Sequence, residues 1–299
     1  TYSDNTTRST RTNHLEIKLP MKTSLFFTNC YSASPLIDTQ IIAFKEISPG
    51  ESLVLKRYGP SGQNVDSALP CAIFFFGGGW NGGDISHFAD QAEHLAKRGM
   101  VAICAQYRTR SSHNVPPNVC LMDAKSAIRY VKTNAKELGI DPERLAVGGG
   151  SAGGHLAVAT TFCEGFNDPN EKTNDSTRAG ALLLFNPVID NSPGGYGYER
   201  VSEFWQAFSP LNNITAPAPP TLFLLGDSDK LIPVATGHIF KAAIEKAGGR
   251  CQLKIFKQAE HGFFNAGRES GNGKAYFEEC IQDMDNFLVD LGYLKATRH

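Results

Sequence analysis

Apolar runs of strand length alternate with helical repeats along most of the chain. Residues 41–47 and 52–58 read as two strands meeting at a Pro49-Gly50 hairpin turn. A polar loop over 59–69 precedes Cys71-Ala-Ile-Phe-Phe-Phe76, which is apolar throughout. Such a run suits a strand buried on both faces of a mainly parallel sheet. It ends in a glycine-rich stretch from Gly77 to Asp84. Phe88, Ala92, Leu95 and Ala96 give helical spacing over 88–98, closed by Gly99. A strand over 101–107 follows, then a long helix over 119–138 with Pro116-Pro117 ahead and Gly139 behind. Asp141-Pro142 then turns the chain into a buried strand around Leu145-Ala-Val147.

The alternation continues downstream. A small-residue helix begins near Gly153, a polar loop covers 167–177, and 179–185 is a strand. Residues 186–220 are proline-rich and aromatic, with Tyr196, Tyr198, Phe204 and Trp205; segments of that length in a compact domain are usually functional. A strand over 221–225 ends at Gly226-Asp227-Ser228-Asp229. Then come a helix over 234–246, a strand over 252–256, a loop carrying His261, and an amphipathic helix over 276–291. The pattern predicts an α/β fold with a mostly parallel central sheet flanked by helices. It divides the chain into a polar, poorly ordered arm over 1–30 and one domain over 31–299, with a loop or cap insertion at about 186–220.

Composition narrows the function classes. At 299 residues and 41% hydrophobic, the chain can build a sizeable core. A net charge of −1 gives no electrostatic case for nucleic acid or an anionic membrane as partner. No apolar run approaches the roughly 18 residues of a membrane span. Met21-Lys-Thr-Ser-Leu-Phe-Phe27 resembles the start of an export signal, but Thr28-Asn29 breaks it short of the roughly 7–15 apolar residues required. The expected product is soluble, cytoplasmic or exported. Seven cysteines leave at least one thiol unpaired, and Cys71, Cys104 and Cys251 fall in strand-like runs as buried, reduced thiols. There is no C-x-x-C, zinc-type Cys/His spacing, H-E-x-x-H or phosphate-binding glycine–lysine loop, so no metal or cofactor is expected.

The chemistry centres on Gly149-Gly150-Ser151-Ala152-Gly153, a G-x-S-x-G sequence between an apolar strand and a small-residue helix. A turn that sharp brings backbones together, which explains glycines on either side of the serine. A nucleophilic serine needs a base, and the base an orienting carboxylate. In open α/β sheets functional groups gather beyond the carboxyl ends of the strands. Asp227 and Asp229 follow one later strand and His261 follows the next. Ser…Asp…His is the order of α/β-hydrolases, unlike that of chymotrypsin or subtilisin.

From about Ile41 to Leu291 the chain resembles the α/β-hydrolase serine esterases and lipases, near the hormone-sensitive-lipase and bacterial carbohydrate (acetyl) esterase groups. The blocks carrying the resemblance are Phe76-Gly-Gly-Gly-Trp80, Asp141-Pro-Glu-Arg144, Gly149-Gly-Ser-Ala-Gly-Gly-His155, Gly226-Asp-Ser-Asp-Lys-Leu-Ile-Pro233 and His261-Gly-Phe263. The resemblance implies Ser151 as nucleophile, His261 as base and Asp229 as its carboxylate, with Asp227 as second choice. It also implies an oxyanion hole from the N–H groups of Gly78, Gly79 and Ala152. The family often has histidine ahead of the three glycines, bracing the loop; Phe76 stands there, so Trp80, Asn81 and Asp84 are the expected braces. Trp80, Asn81, Tyr196, Trp205 and Phe263 are candidate substrate contacts. The remaining histidines, His87 and His155 among them, read as surface or packing residues, and Asp123 and Arg144 as ion-pair or turn residues.

Three functions compete. The first is a carboxylic ester hydrolase of short acyl groups, acetyl groups on a sugar or on xylan being the case the resemblance suggests. The second keeps the machinery but cleaves an amide, as in arylformamidases, or transfers the acyl group. The third is a non-catalytic member of the fold that binds a ligand in the same pocket. All three imply a small-molecule or carbohydrate partner, and the oligomeric state stays open between monomer and dimer.

Overall fold

The computed structural model describes residues 36–63, 66–171 and 175–297. The expected N-terminal arm and the Met21–Phe27 stretch lie outside the described residues. The first two apolar runs pair as an antiparallel hairpin, β1 (Ile37–Ser48) and β2 (Glu51–Pro60), turned at Gly50 with φ 80°. The remaining strands are β3 (Leu69–Phe75), β4 (Val101–Ala105), β5 (Ile140–Gly150), β6 (Ala181–Phe185), β7 (Thr221–Gly226) and β8 (Cys251–Phe256). They form one eight-stranded sheet in the order β1-β2-β4-β3-β5-β6-β7-β8. Among the named strands β2 alone is reversed, antiparallel to both β1 and β4; from β4 to β8 every pairing is parallel.

Burial on both faces explains why the central strands are apolar without interruption. In β3, Cys71, Ile73 and Phe75 enter one core, while Ala72 and Phe74 enter the other. The same alternation runs through β4 and β6. On the first face pack α2 (Pro117–Thr133), α3 (Ala152–Phe162) and α4 (Val234–Lys246), and on the second α1 (Ala89–Lys97) and α5 (Phe277–Asp290). Each fully buried phenylalanine or leucine stabilises by about 1.5–3 kcal/mol relative to exposure.

One expectation is corrected. The single helix over 119–138 is two pieces, because α2 ends at Thr133 and a separate turn covers Ala135–Leu138. The Asn134 side chain donates to the Tyr130 carbonyl at 2.8 Å, a local bond that competes with continuation of the helix. The segment over 186–220 holds short helices at Tyr198–Val201, Trp205–Phe208 and Pro210–Asn213.

Charged and thiol groups behave as structural elements. Asp123 is fully buried and binds Arg108 at 2.7 and 2.8 Å and Lys45 at 2.9 Å. Arg144 pairs with Asp141 at 2.7 Å and donates to the Ala68 carbonyl. The six described cysteines are all free and buried. Burial pushes the thiols of Cys71, Cys104 and Cys251 up to about 12, which leaves them protonated and inert. No helix among the described residues is long and apolar enough to cross a membrane.

Candidate active site

β5 leaves the middle of the sheet and turns into α3 at Ser151, whose φ of 55° and ψ of −121° are strained for an L-residue. Packing enforces the turn. A Cβ on Gly149 would lie 2.5 Å from the Gly153 carbonyl carbon, and one on Gly153 only 2.1 Å from the Phe75 oxygen. The Ser151 N–H donates to the Phe185 carbonyl at 3.1 Å, and its own carbonyl accepts from His155 and Val188 at 3.0 Å each. The side chain is thereby presented on a backbone anchored to two neighbouring segments.

The loops after β7 and β8 bring the partners. His261 Nε2 lies 2.9 Å from Ser151 Oγ, and His261 Nδ1 lies 2.8 Å from Asp229 Oδ2. An ionised carboxylate only accepts, so Nδ1 donates and Nε2 is left to receive the serine proton. The Asp229 side chain is fully buried, while that of His261 is 24% exposed. Asp229 Oδ1 accepts from the N–H groups of Leu231 and Ile232 at 2.8 and 3.0 Å, which fixes the carboxylate. Asp227 points elsewhere: its Oδ1 takes the Gln258 N–H and the Ser228 hydroxyl. Buried Asn186, unremarked in the sequence beyond opening the 186–220 segment, accepts the Gly262 N–H at 2.9 Å and so holds the residue next to His261.

The glycine loop after β3 forms the facing wall. Gly78 and Gly79 share a cleft of about 300 Å³ with Ser151 and His261, and Ala152 follows Ser151 as the first residue of α3. Among the described residues, the N–H groups of Gly78, Gly79 and Ala152 have no acceptor. Three such donors near one serine oxygen can stabilise negative charge developing on a carbonyl oxygen.

The braces of this loop differ from those expected. Phe76 stacks on Tyr107 with ring centroids 4.0 Å apart, and the Tyr107 hydroxyl donates to the Phe76 carbonyl at 2.7 Å. His87, read as surface or packing, accepts the Gly77 N–H through Nδ1 at 2.9 Å. Burial is the main cause holding His87 below its usual range, which keeps the ring neutral and able to accept. Arg200 Nη1 donates to the Gly79 carbonyl at 2.5 Å from the 186–220 segment. Of the expected braces, Asn81 acts through its backbone, its N–H donating to the Gly78 carbonyl and its carbonyl accepting the Ser111 N–H, and Asp84 caps the turn at Ser86. Trp80 accepts the Arg110 N–H through its carbonyl, and its indole is buried.

Of the five candidate substrate contacts, Tyr196 lines the cleft. Trp80 is 1% exposed and packs among His155, Tyr196 and Phe208. Asn81 is exposed outside the cleft lining, and half-buried Trp205 rests against Tyr198. Phe263 is fully buried between Phe256 and Tyr276; the turn at Gly262, with φ 83°, puts the next residue, Phe264, in the cleft instead. His155 packs as expected: it is fully buried, bonds the Phe208 carbonyl at 3.1 Å, and burial pushes it down to about 3. No group of three or more metal-ligating side chains occurs among the described residues.

Known proteins resemble this chain in sequence and fold. A family model described as BD-FAE matches residues 58–194, and the dienelactone hydrolase family matches residues 187–291. An acetylxylan esterase of Xylanibacter ruminicola is 28% identical over 236 residues, 72% of this chain and 44% of that protein. A probable carboxylic ester hydrolase, LipM, of Mycobacterium tuberculosis is 29% identical over 196 residues, 59% of this chain and 45% of that protein. The chain thus spans less than half the length of these two curated relatives. The solved structure of Thermogutta terrifontis esterase 2 phosphorylated by paraoxon is 40% identical, with a TM-score of 0.80 over 87% of this chain and 96% of that one. The same esterase has also been solved with propionate and with butyrate bound, at 38% and 39% identity. Both have a TM-score of 0.80, over 87% of this chain and 97% and 96% of theirs.

Proposed function

The chain belongs to the α/β-hydrolase esterases, and from that premise we propose that it hydrolyses carboxylic esters of short acyl groups with Ser151 as nucleophile. The observation that carries this reading is the continuous line of hydrogen bonds from Ser151 through His261 to Asp229. Ser151 Oγ attacks the ester carbonyl while His261 Nε2 takes its proton. Asp229 holds the imidazole in the tautomer that accepts there and offsets the charge it gains. Negative charge on the carbonyl oxygen is met by the N–H groups of Gly78, Gly79 and Ala152, worth about 3–4 kcal/mol for each donor removed. Collapse of the intermediate breaks the bond to the alcohol, which leaves with the proton from His261. Water then repeats the sequence on the acyl-enzyme, releasing the acid and regenerating the serine.

The short-acyl assignment draws support from the modest cleft and from the related esterase solved with propionate and butyrate. The name of the acetylxylan esterase relative makes an acetylated sugar, xylan included, the natural alcohol side to test. Turnover of p-nitrophenyl acetate, butyrate and decanoate, together with acetylated xylan oligomers, tests the reading. Acetate and butyrate are expected to exceed decanoate by about tenfold or more in kcat/KM, the scale on which a pocket rejects poorly fitting chain. Faster turnover of decanoate would overturn the short-acyl assignment. An anilide cleaved as fast as the matching ester would instead favour the amide hydrolase.

A further inference from the structure

A second cavity lies behind the glycine loop and shares no lining residue with the candidate active site. It has a volume of about 300 Å³. Trp80, Val115, Pro116 and Pro117 give it apolar walls, and Arg110 and Arg200 contribute two guanidinium groups. Among the described residues no carboxylate lines it. The two arginines differ in how they are held. Arg200 lies 5.1 Å over the Trp80 ring and 5.5 Å over Tyr196 and donates to the Gly79 carbonyl; among the described residues the one carboxylate it meets is the largely exposed Glu199 at 3.5 Å. Exposed Arg110 has no side-chain partner among the described residues. Two cations facing apolar walls with no anion between them leave a charge deficit that a ligand can fill.

We propose that this cavity binds a carboxylate carried on a compact apolar or aromatic body, with Arg110 and Arg200 taking the charge and the accessible Val115 and Pro116 the body. The walls are coupled to the catalytic side. The Arg110 N–H donates to the Trp80 carbonyl at 3.1 Å, the Ser111 N–H to the Asn81 carbonyl at 2.8 Å, and Arg200 holds Gly79. An occupant therefore presses on the loop that carries Gly78 and Gly79. It touches neither Ser151 nor His261.

Calorimetric titration with benzoate, using benzamide as the uncharged control, tests the site on wild type, Arg110→Glu, and Arg268→Glu at the lip of the catalytic cleft. Benzoate is expected to bind saturably and benzamide about tenfold or more weakly, with Arg110→Glu losing about tenfold or more and Arg268→Glu unaffected. Equal binding of benzoate and benzamide by wild type overturns the proposal without need of any variant. So does a loss confined to Arg268→Glu, which would place the ligand in the catalytic cleft. The titration requires no turnover, so an inactive wild type that still binds benzoate would sink the esterase reading and leave this site standing.

Discussion

Ser151→Ala is expected to lower kcat/KM for p-nitrophenyl butyrate by about 10⁴-fold or more, leaving only what the oxyanion donors and binding provide. The substitution removes one oxygen from a side chain whose backbone is held by the Phe185, His155 and Val188 bonds, so the fold remains. A related esterase is phosphorylated by paraoxon, which gives a readout separate from turnover. Intact-mass measurement should show one diethylphosphoryl group on wild type and none on Ser151→Ala. An adduct retained by the alanine variant would move the nucleophile elsewhere.

Gly153→Ala is expected to act on folding instead of chemistry. Its Cβ would stand 2.1 Å from the Phe75 oxygen and 2.4 Å from the Phe76 oxygen, both backbone atoms of the sheet centre that have nowhere to go. Relief requires shifting α3 from β3, a cost of about 3 kcal/mol or more. In a domain of this size that lowers Tm by about 6–12 °C. Gly248 makes a control, since its φ of 81° disfavours alanine but nothing lies within 4 Å of an added Cβ. Gly248→Ala should cost only the about 1–2 kcal/mol of a left-handed residue. Thermal unfolding of the two variants measures the difference, and a Gly153→Ala melt at the wild-type temperature would refute the packing argument.

The fold was legible where burial is uniform. Residues 71–76, 179–185 and 221–225 could be read as strands because both faces of the sheet are covered and nearly every position had to be apolar. The break at Asn134 was not legible, because a side-chain bond back to Tyr130 decides it within an otherwise helical pattern. At the site, Ser151, Asp229 and His261 could be placed at strand ends because motif and topology constrain them together. The braces were hidden. His87 reaches Gly77 across ten residues and Arg200 reaches Gly79 across 121, and neither spacing leaves a local mark. Phe263 and Phe264 are adjacent phenylalanines, and the backbone turn alone decides which one faces the cleft.

The position of the site across the sheet has a consequence for inactivation. Ser151 hangs from β5 at the centre, whereas His261 follows β8, an edge strand that among the described residues pairs only with β7 and whose middle four residues are half-buried. Edge strands open locally at lower free energy than the whole domain. When β8 frays, His261 and its contact with Asp229 are lost together, while the turn at Ser151 and both cores stay intact. Residual activity on heating should therefore fall several degrees before the far-UV signal; coincident curves would mean that β8 melts with the rest. The operating ceiling of this protein is then set at its periphery, and reinforcement of one marginal strand would raise it more than any change to the core.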